Sequence, residues 1–413
     1  MNVRFQKIIT KYLLLELISP FGLGLLIFTF VLFMQQVLRL IELVINKGVG
    51  VDVVLRMIAY IMPSFLVMTI PMAVLVATLS AFGRLSTDSE ITAMKASGIS
   101  LYSLCVPVLI FASAATAITF FFYAEALPWG NRNFRLVLYE LARTKAAIAL
   151  KDKVFDTSYP GLVIYIEEID DQDVFHGVML SDTRDNNNQQ VIFAKTGRLI
   201  SDEKQLRVIL RLEHGASHPK NVPNPLKYQI VEFPFLDIVL SFQGNSDNSP
   251  LNIEPTDRDM TIPQLAAQYM LIKQQAAGQI VPPDAETPTE AVTWHVYWWR
   301  AAQVTGRLLF ESFWRQDEQA NDFLVEIHKR FSFPAACLVF GLIATPLGIQ
   351  SRRSGKSGGF AMSLFLLLIY YIFIVAGESL GDNGRLPAIF AVWTPNILLG
   401  VTGAILLIRV AKQ

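Results

Sequence analysis

Residues 84–100 read Arg84-Leu-Ser-Thr-Asp-Ser-Glu-Ile-Thr-Ala-Met-Lys-Ala-Ser-Gly-Ile-Ser100, a short polar island between two long apolar runs. The spacing Thr87-x-x-Glu90 predicts a capping box, in which Thr87 caps the first turn and Glu90 reaches back from the third helical position. Gly98 stands where a left-handed residue would end the helix. Together these marks predict a helix of about three turns. A bilayer takes about 20 apolar residues to cross, so this helix is too short to span. Its two neighbours are apolar enough to do so. The helix is therefore expected to lie along the membrane surface, as a structured loop or as a handle on which a soluble partner pushes.

Working outward, the chain has 413 residues, of which 52% are hydrophobic, above the usual share of a soluble domain. Six apolar runs predict six transmembrane helices: Leu13 to about Val37, about Val53 to Phe82, Leu101 to about Ala124, Phe331–Ile349, Phe360–Gly377 and about Pro387–Ile408. The first run is long enough to stay as an anchor rather than leave as a signal peptide. Prolines 63 and 71 inside the second are tolerable where neighbouring helices re-satisfy the freed carbonyls. Six spans put both termini on one side. Arg4, Lys7, Lys11, Arg84, Lys95, Arg352, Arg353, Lys356, Arg409 and Lys412 fall there, against Arg39, Lys47 and Arg385 in the short opposite loops and Arg56 at the start of the second span. That bias predicts cytoplasmic termini, a cytoplasmic polar island and an external middle region.

The middle region reads first as strands. Gly161-Leu-Val-Ile-Tyr-Ile-Glu, Gln190-Val-Ile-Phe-Ala, Leu206-Arg-Val-Ile-Leu-Arg-Leu and Lys227-Tyr-Gln-Ile-Val-Glu-Phe recur at the spacing of an all-β domain. Leu206, Val208, Leu210 and Leu212 alternate with Arg207, Ile209, Arg211 and Glu213, the period of a half-exposed strand. Breakers at Asp185–Asn188 and from His218-Pro to Pro225 separate the runs. A sandwich or jelly roll follows. From about residue 261 the period changes, and Ile262, Leu265, Tyr269 and Ile272 predict an amphipathic helix. Pro282, Pro283 and Pro288 mark a linker over 278–290. A helical stretch from Thr293 to Lys329 follows, and its Trp294, Trp298 and Trp299 fit either a membrane interface or a small aromatic core.

Net charge is zero, so bulk charge points to no nucleic acid. Cys105 and Cys337 both lie in apolar runs and read as buried thiols, not a disulfide or metal site. Gly355-Lys356-Ser357 invites a phosphate-loop reading, but position 350 is Gln350, where that motif needs glycine, and no strand precedes it. The chain is therefore expected not to hydrolyse ATP itself. His176, His214, His218, His295 and His328 are scattered, and no metal ligand set, cofactor or nucleophile elbow is expected. Glu16 and Glu378 sit near span ends, unlike a buried proton relay. Arg39, Lys47 and Arg56 flank the loop between the first two spans, where cations either snorkel or hold an anionic lipid headgroup.

Phe33-Met-Gln-Gln-Val-Leu-Arg39 and Thr87-Asp-Ser-Glu-Ile-Thr-Ala-Met-Lys-Ala-Ser-Gly98 resemble the lipopolysaccharide-export permease family LptF/LptG, also called YjgP/YjgQ. Pro346-Leu-Gly, Tyr370-Tyr, Trp393-Thr-Pro-Asn396 and the order of three spans, β-domain, three spans fit the same family, and Ser-Glu-Ile-Thr favours its F-type subunit. The resemblance implies an α+β membrane protein of the bacterial inner membrane, with a periplasmic jelly-roll-like domain between the third and fourth spans. Residues 1–125 would carry spans one to three with a coupling helix at about 84–100. Residues 126–329 would be periplasmic, with the β-domain at about 150–245 plus a helical linker, and 330–413 would carry spans four to six. It implies a non-catalytic half of an ABC exporter for lipopolysaccharide. The implied partners are a G-type permease, a cytoplasmic ATPase dimer, a periplasmic bridge protein and a single-span regulatory subunit.

On this reading Glu90 docks the ATPase, with Arg84, Asp88 and Met94 beside it. Arg39 meets the lipid phosphates, with Lys47 and Arg56 near, and Leu206, Val208, Leu210 and Leu212 line an acyl path. Gln36 departs from the family pattern, which has a second cation there. Residues 278–320 are longer than the family's usual approach to the fourth span. The competing reading is a scaffold that relays ATPase work to periplasmic partners without carrying lipid. An intramembrane enzyme would need a polar catalytic cluster, which the spans lack.

Overall fold

The structure, a computed structural model, describes residues 3–47, 50–149, 152–157, 159, 161–170, 174–184, 189–202, 207–219, 230–240, 256–276, 321–350 and 355–412, with side chains undescribed at 3–6, 38–47, 142–149, 201–202, 207, 273–276 and 355–358. Two compact units divide the chain: Met1–Asn131 with Asp257–Gln413, and Arg132–Thr256.

The first unit is helical. Its elements are α1 (Val3–Lys47), α2 (Val51–Thr87), α3 (Glu90–Ala96), α4 (Leu101–Phe121), α6 (Ile262–Ala276), α7 (Asn321–Gln350), α8 (Gly355–Asp382) and α9 (Ala388–Lys412). Among the described residues six helices are long and apolar enough to cross a membrane, matching the six runs in the sequence. The helix of the third run does not stop near Ala124. It passes through a π turn at Phe122–Ala126 and continues as α5 (Leu127–Ala149). Apolar length marks where a helix can sit in lipid, and here the helical hydrogen bonding outlasts it. The amphipathic helix expected from Ile262 is α6, with Ile262, Leu265 and Tyr269 buried and Ile272 partly so. The tryptophans at 294, 298 and 299, and the linker over 278–290, lie outside the described residues.

The Trp393-Thr-Pro-Asn396 stretch shows how the bundle handles a mid-helix proline. Pro395 has no N–H for the Ala391 carbonyl, four residues back. Gly377 of α8 lies against that carbonyl, so closely that a Cβ there would overlap it. One residue on, the Asn396 amide donates to the Ser332 carbonyl at 2.8 Å and to its Oγ at 2.7 Å, and Ser332 Oγ donates to the Val392 carbonyl at 3.0 Å. A helix break thus becomes a joint between α7, α8 and α9.

The second unit is an antiparallel sheet of six strands: β1 (Phe155–Asp156), β2 (Leu162–Ile169), β3 (Val174–Asp182), β4 (Gln190–Asp202), β5 (Arg207–Pro219) and β6 (Val231–Leu240). It lies between the third and fourth spans in the chain, as the α+β membrane class requires. The strands pair in chain order, as a meander, and not in the interleaved order of a full jelly roll. The described residues show no break at His218-Pro: β5 runs through Pro219, paired with Gln190. Sequence pattern does not mark strand β3, because polar Ser181 and Asp182 and a mid-strand Gly177 dilute its alternation.

One face of this sheet is dry. Leu162, Ile164, Ile166, Val178, Leu180, Ile192, Val208, Leu210, Leu212, Ile238 and Leu240 are all buried in one cluster. A single flat layer cannot bury its own face, so the sheet curls. Arg184, just after β3, donates to the Val239 carbonyl of β6 at 3.0 Å, although those strands are not neighbours in the sheet. The curl has a visible cause. The paired registers pass over Glu167, Gly177, Lys195, His214 and Pro234, one residue on each of five adjacent strands. At that row the inward set changes parity. On β5 the alternation of Val208, Leu210 and Leu212 ends and Ser217 is buried instead, and on β4 Leu199 packs inward after Ala194. Each strand carries one residue out of the pleat at the same level, so neighbours stay in step while the whole sheet creases. Gly177 (φ 63°) and His214 (φ 54°) take the left-handed backbone this requires.

Arg184 also holds Asp182 through two hydrogen bonds, at 2.9 and 2.7 Å. Burial pushes the Asp182 carboxyl up, and the Arg184 hydrogen bonds more than offset that, leaving it below the usual carboxylate value. The pair therefore contributes stability above the unfolded value of about 3.9 and loses it as pH falls through the folded one. Arg184→Gln is expected to speed amide exchange at Leu240 and its β5 partner Val208 about tenfold, the scale of a lost charged hydrogen bond. Hydrogen exchange with mass readout at pH 7 checks it, and the difference from the parent chain should shrink toward pH 3.

Candidate functional site: the surface helix and its ties

Helix α3 has seven residues, about two turns, shorter than the sequence marks predicted. The predicted capping box does not form. Ser89, not Thr87, is the N-cap, in left-handed backbone (φ 60°) and without a side-chain cap bond. Thr87 belongs to α2 and its hydroxyl donates to the Gly83 carbonyl at 2.9 Å. Two helices compete for the same residues, and α2, with its long buried face, keeps Thr87. The C-terminal reading holds. Gly98 is left-handed (φ 82°), its N–H bonds the Lys95 carbonyl at 3.0 Å, and Ile99 N–H bonds that of Met94 at 3.1 Å. This is the Schellman arrangement, with Ile99 buried behind it.

The inner side of α3 packs firmly. Ile91 and Ile99 share a core with Leu13 and Leu17 of α1, Phe82 and Leu85 of α2, Leu104 of α4 and Leu407 and Val410 of α9, with Met94 against it. Asp88, Ser89, Thr92, Ala93, Ala96 and Ser97 are exposed. Glu90 is partly exposed, and one of its oxygens accepts a hydrogen bond from the Tyr12 hydroxyl at 2.7 Å. Arg84 is ion-paired with Glu16 at 2.6 Å. Of the sequence candidates, Glu90, Arg84, Asp88 and Met94 are thus brought to one corner. Tyr12, which the sequence reading passed over, and Glu16, which it took only as a carboxylate near a span end, join them there. A Tyr and a Glu one turn apart at the head of a span, facing a polar island, are the signal that was available.

The lipid candidates scatter. The side chains of Arg39 and Lys47 lie outside the described residues, as does Leu206. Arg56 is engaged by Asp52 at 3.1 Å on the surface of α2. Val208, Leu210 and Leu212 point into the packed sheet interior, at 3%, 0% and 0% exposure. Arg211, on the other face, pairs with Asp237 at 2.7 Å. The crease on that outer face forms an open groove of about 980 Å³, floored by Gly177, Ala194 and Gly215 and walled by Tyr165, Phe193 and Phe233. His214 and His218 lie on one strand, and no metal-holding cluster exists among the described residues.

The far end of α7 holds a charged cluster that the sequence reading missed. Lys329 Nζ lies 2.6 Å from Glu378 and 3.2 Å from Glu326, Arg330 lies 3.7 Å from Glu326, and Arg258 lies 3.3 Å from Glu378. Glu326, Lys329 and Arg330 are at most 5% exposed. Charged residues at i, i+3 and i+4 at the head of an apolar run were the missed signal, and the fold buries them.

A bundle of six apolar helices, a curled β-domain inserted in the chain between the third and fourth, and a short helix between the second and third define an α+β polytopic membrane protein. The family model "Lipopolysaccharide export system permease LptF/LptG" matches residues 11–409, and the chain belongs to that family. It is 22% identical over 396 residues to the lipopolysaccharide export system permease protein LptF of Escherichia coli strain K12, covering 95% of this chain and 92% of that protein, and matches its Shigella flexneri counterpart equally. A Rickettsia prowazekii protein, uncharacterized RP871, is 21% identical over 171 residues, covering 41% of this chain and 47% of that one. The subtype letter is weakly indicated at these identities.

Removing one member of a buried charge cluster strands the others. Lys329→Met is expected to cost about 3–5 kcal/mol and to lower the unfolding midpoint of the detergent-solubilised protein by several degrees. Adding Glu378→Gln should recover part of the loss, measured by thermal unfolding of both variants.

Proposed function

We propose that this chain is the lipid-translocating half-subunit of an ABC exporter for lipopolysaccharide, working in the bacterial inner membrane with both termini and α3 in the cytoplasm and the sheet in the periplasm. The observation that carries the reading is the family match over residues 11–409, and the firmly seated α3 supports it. A cytoplasmic ATPase dimer would supply the work, a second, G-type permease the other wall of the cavity, and a periplasmic bridge the acceptor. A single-span subunit would regulate the pair. The chain itself hydrolyses nothing on this reading: Gly355-Lys356-Ser357 falls at the start of α8, after a helix and not a strand.

In this scheme α3 is the coupling helix. Its exposed side is small, with Ala93, Ala96 and Ser97, and a small surface fits closely into a groove. Glu90 stands at its first turn and would meet a cation of the ATPase through a charge-assisted bond. Asp88 flanks the contact, while Arg84 and Met94 hold the helix from behind. Arg39 would grip a lipid phosphate bidentately, which lysine does not copy, with Lys47 and Arg56 as weaker neighbours. Acyl chains need an apolar route, since each exposed methylene costs about 0.8 kcal/mol. The interior stripe of Val208, Leu210 and Leu212, with Leu206 next in the same alternation of the sequence, would give one once the sheet opens.

Export reconstituted in vesicles with the full complex tests the scheme. Glu90→Ala should leave the membrane fold intact and weaken ATPase recovery or export at least several-fold. Arg39→Glu should impair export more than Arg39→Lys, without abolishing ATP hydrolysis. A photo-crosslinking residue at Leu210 should capture lipopolysaccharide only with ATP, and one at Arg211 should capture little. Equal export by all Arg39 versions, full function of Glu90→Ala, or capture at neither β5 position in an exporting variant would sink the corresponding part.

A further inference from the structure

Helix α3 touches α1 in two ways. Ile91 and Ile99 pack on Leu13 and Leu17. Above that apolar contact, Tyr12 of α1 donates its hydroxyl to Glu90 of α3 at 2.7 Å, and Glu16 of α1, one turn on, holds Arg84 at the end of α2 at 2.6 Å. Four side chains from three helices therefore meet in one polar patch. The apolar packing resists separation but, being non-directional, fixes no angle between the helices. The two polar ties do fix it: each has a set length and direction. Tyrosine suits the task, because its hydroxyl sits on a rigid ring with two rotatable bonds, so a displacement of Glu90 is passed to the α1 backbone and not absorbed in a flexible chain.

The remaining surface of α1 shows where such a displacement would go. Leu15, Ile18, Leu23, Leu26, Phe30 and Met34 are all exposed along it. This helix is tied at its head by the polar patch, packs along one side on α2 through Gly24 and Thr29 and on α4 through Phe21, and presents a long bare apolar face on the other side. We infer that Tyr12 is a positioning residue for transport: through Glu90 it links the coupling helix to the first span, so that a push on α3 swings the bare face of α1, with Glu16–Arg84 as the second tie of the same linkage. The inference rests on the coupling role proposed for α3 and adds the route by which the push reaches the membrane.

The test uses the complete exporter in phosphatidylethanolamine and phosphatidylglycerol vesicles, with lipopolysaccharide as cargo. Two quantities are read, the ATPase recovered with the complex and the lipid exported per ATP hydrolysed. Tyr12→Phe keeps the ring and its packing and deletes only the hydroxyl. It is expected to leave recovery unchanged and to cut lipid per ATP about tenfold, the scale of one hydrogen bond to a charged group. In a Glu90→Ala background, which leaves no acceptor for the Tyr12 hydroxyl, the same change should add less than about twofold, because a residue acting through Glu90 has lost its means. Export per ATP at the parent level in Tyr12→Phe overturns the inference. So does a tenfold loss that persists in the Glu90→Ala background, which would make Tyr12 merely structural. The two readings separate cleanly: if Glu90→Ala itself recovers ATPase and exports normally, the coupling role of α3 falls and this inference with it, whereas a defective Glu90→Ala beside a fully coupled Tyr12→Phe overturns only the role of Tyr12.

Discussion

In an apolar surrounding no water stands ready to satisfy a broken backbone bond, and that constraint governs the helical unit. Its sharpest expression is at Pro395, which leaves the Ala391 carbonyl without its helical donor. The answer is local and cooperative: Gly377 yields its side chain so that α8 can close on that carbonyl, and Asn396 reaches across to Ser332. The same logic places Ser86 Oγ on the Ile349 carbonyl at 2.7 Å, where α7 runs out of its own donors. Both of these cross-helix contacts stand where a helix is interrupted or ends; elsewhere Thr29 of α1 meets Thr69 of α2 at 3.1 Å within the spans, amid dry packing. Buried Cys105 and Cys337 belong to that packing as free thiols.

The β-domain solves a different problem. Six strands in a meander have one apolar face and no second sheet among the described residues to cover it. The aligned row of Glu167, Gly177, Lys195, His214 and Pro234 turns the sheet on itself, and Arg184 ties its separated parts together. The result is a packed interior in which Leu210 and Leu212 have no exposed surface. An interior so filled is a core first. Its use as a lipid route requires the curl to open, and the crease, where each ladder from β2 to β6 already skips a pair, is where opening breaks fewest bonds.

The two ends of the bundle differ in character. At the α3 end, the ion pair and the tyrosine bond are partly solvated and join short polar segments. At the far end of α7 the ions are buried and interlocked, with Lys329 between two carboxylates. Solvated ties rearrange at little cost, whereas a buried cluster moves as a block or not at all. The chain thus combines a pliable corner with a fixed one on the same set of long helices.

The amino-acid sequence alone determined the six apolar helices, the β-rich insertion, the amphipathic α6 and the left-handed stop at Gly98, because each is a local pattern: length of an apolar run, a period of two, a period near 3.6, a glycine after a helix. The order of these elements and the wording of residues 87–98 also carried the family. Tertiary structure decided what local pattern leaves open. Thr87 fits a cap equally well as a last helical residue, and only the buried face of α2 settled which. A parity change at Gly177 or His214 is invisible without the neighbouring strands, since the crease exists only when five such residues fall in line. The sequence offers Glu326, Lys329 and Arg330 only as charges at the head of an apolar run, and their burial came from α6, α8 and Arg258 closing over them. Glu90 read as the reaching-back member of a capping box; its bond to Tyr12, 78 residues away, required the fold to bring the two together.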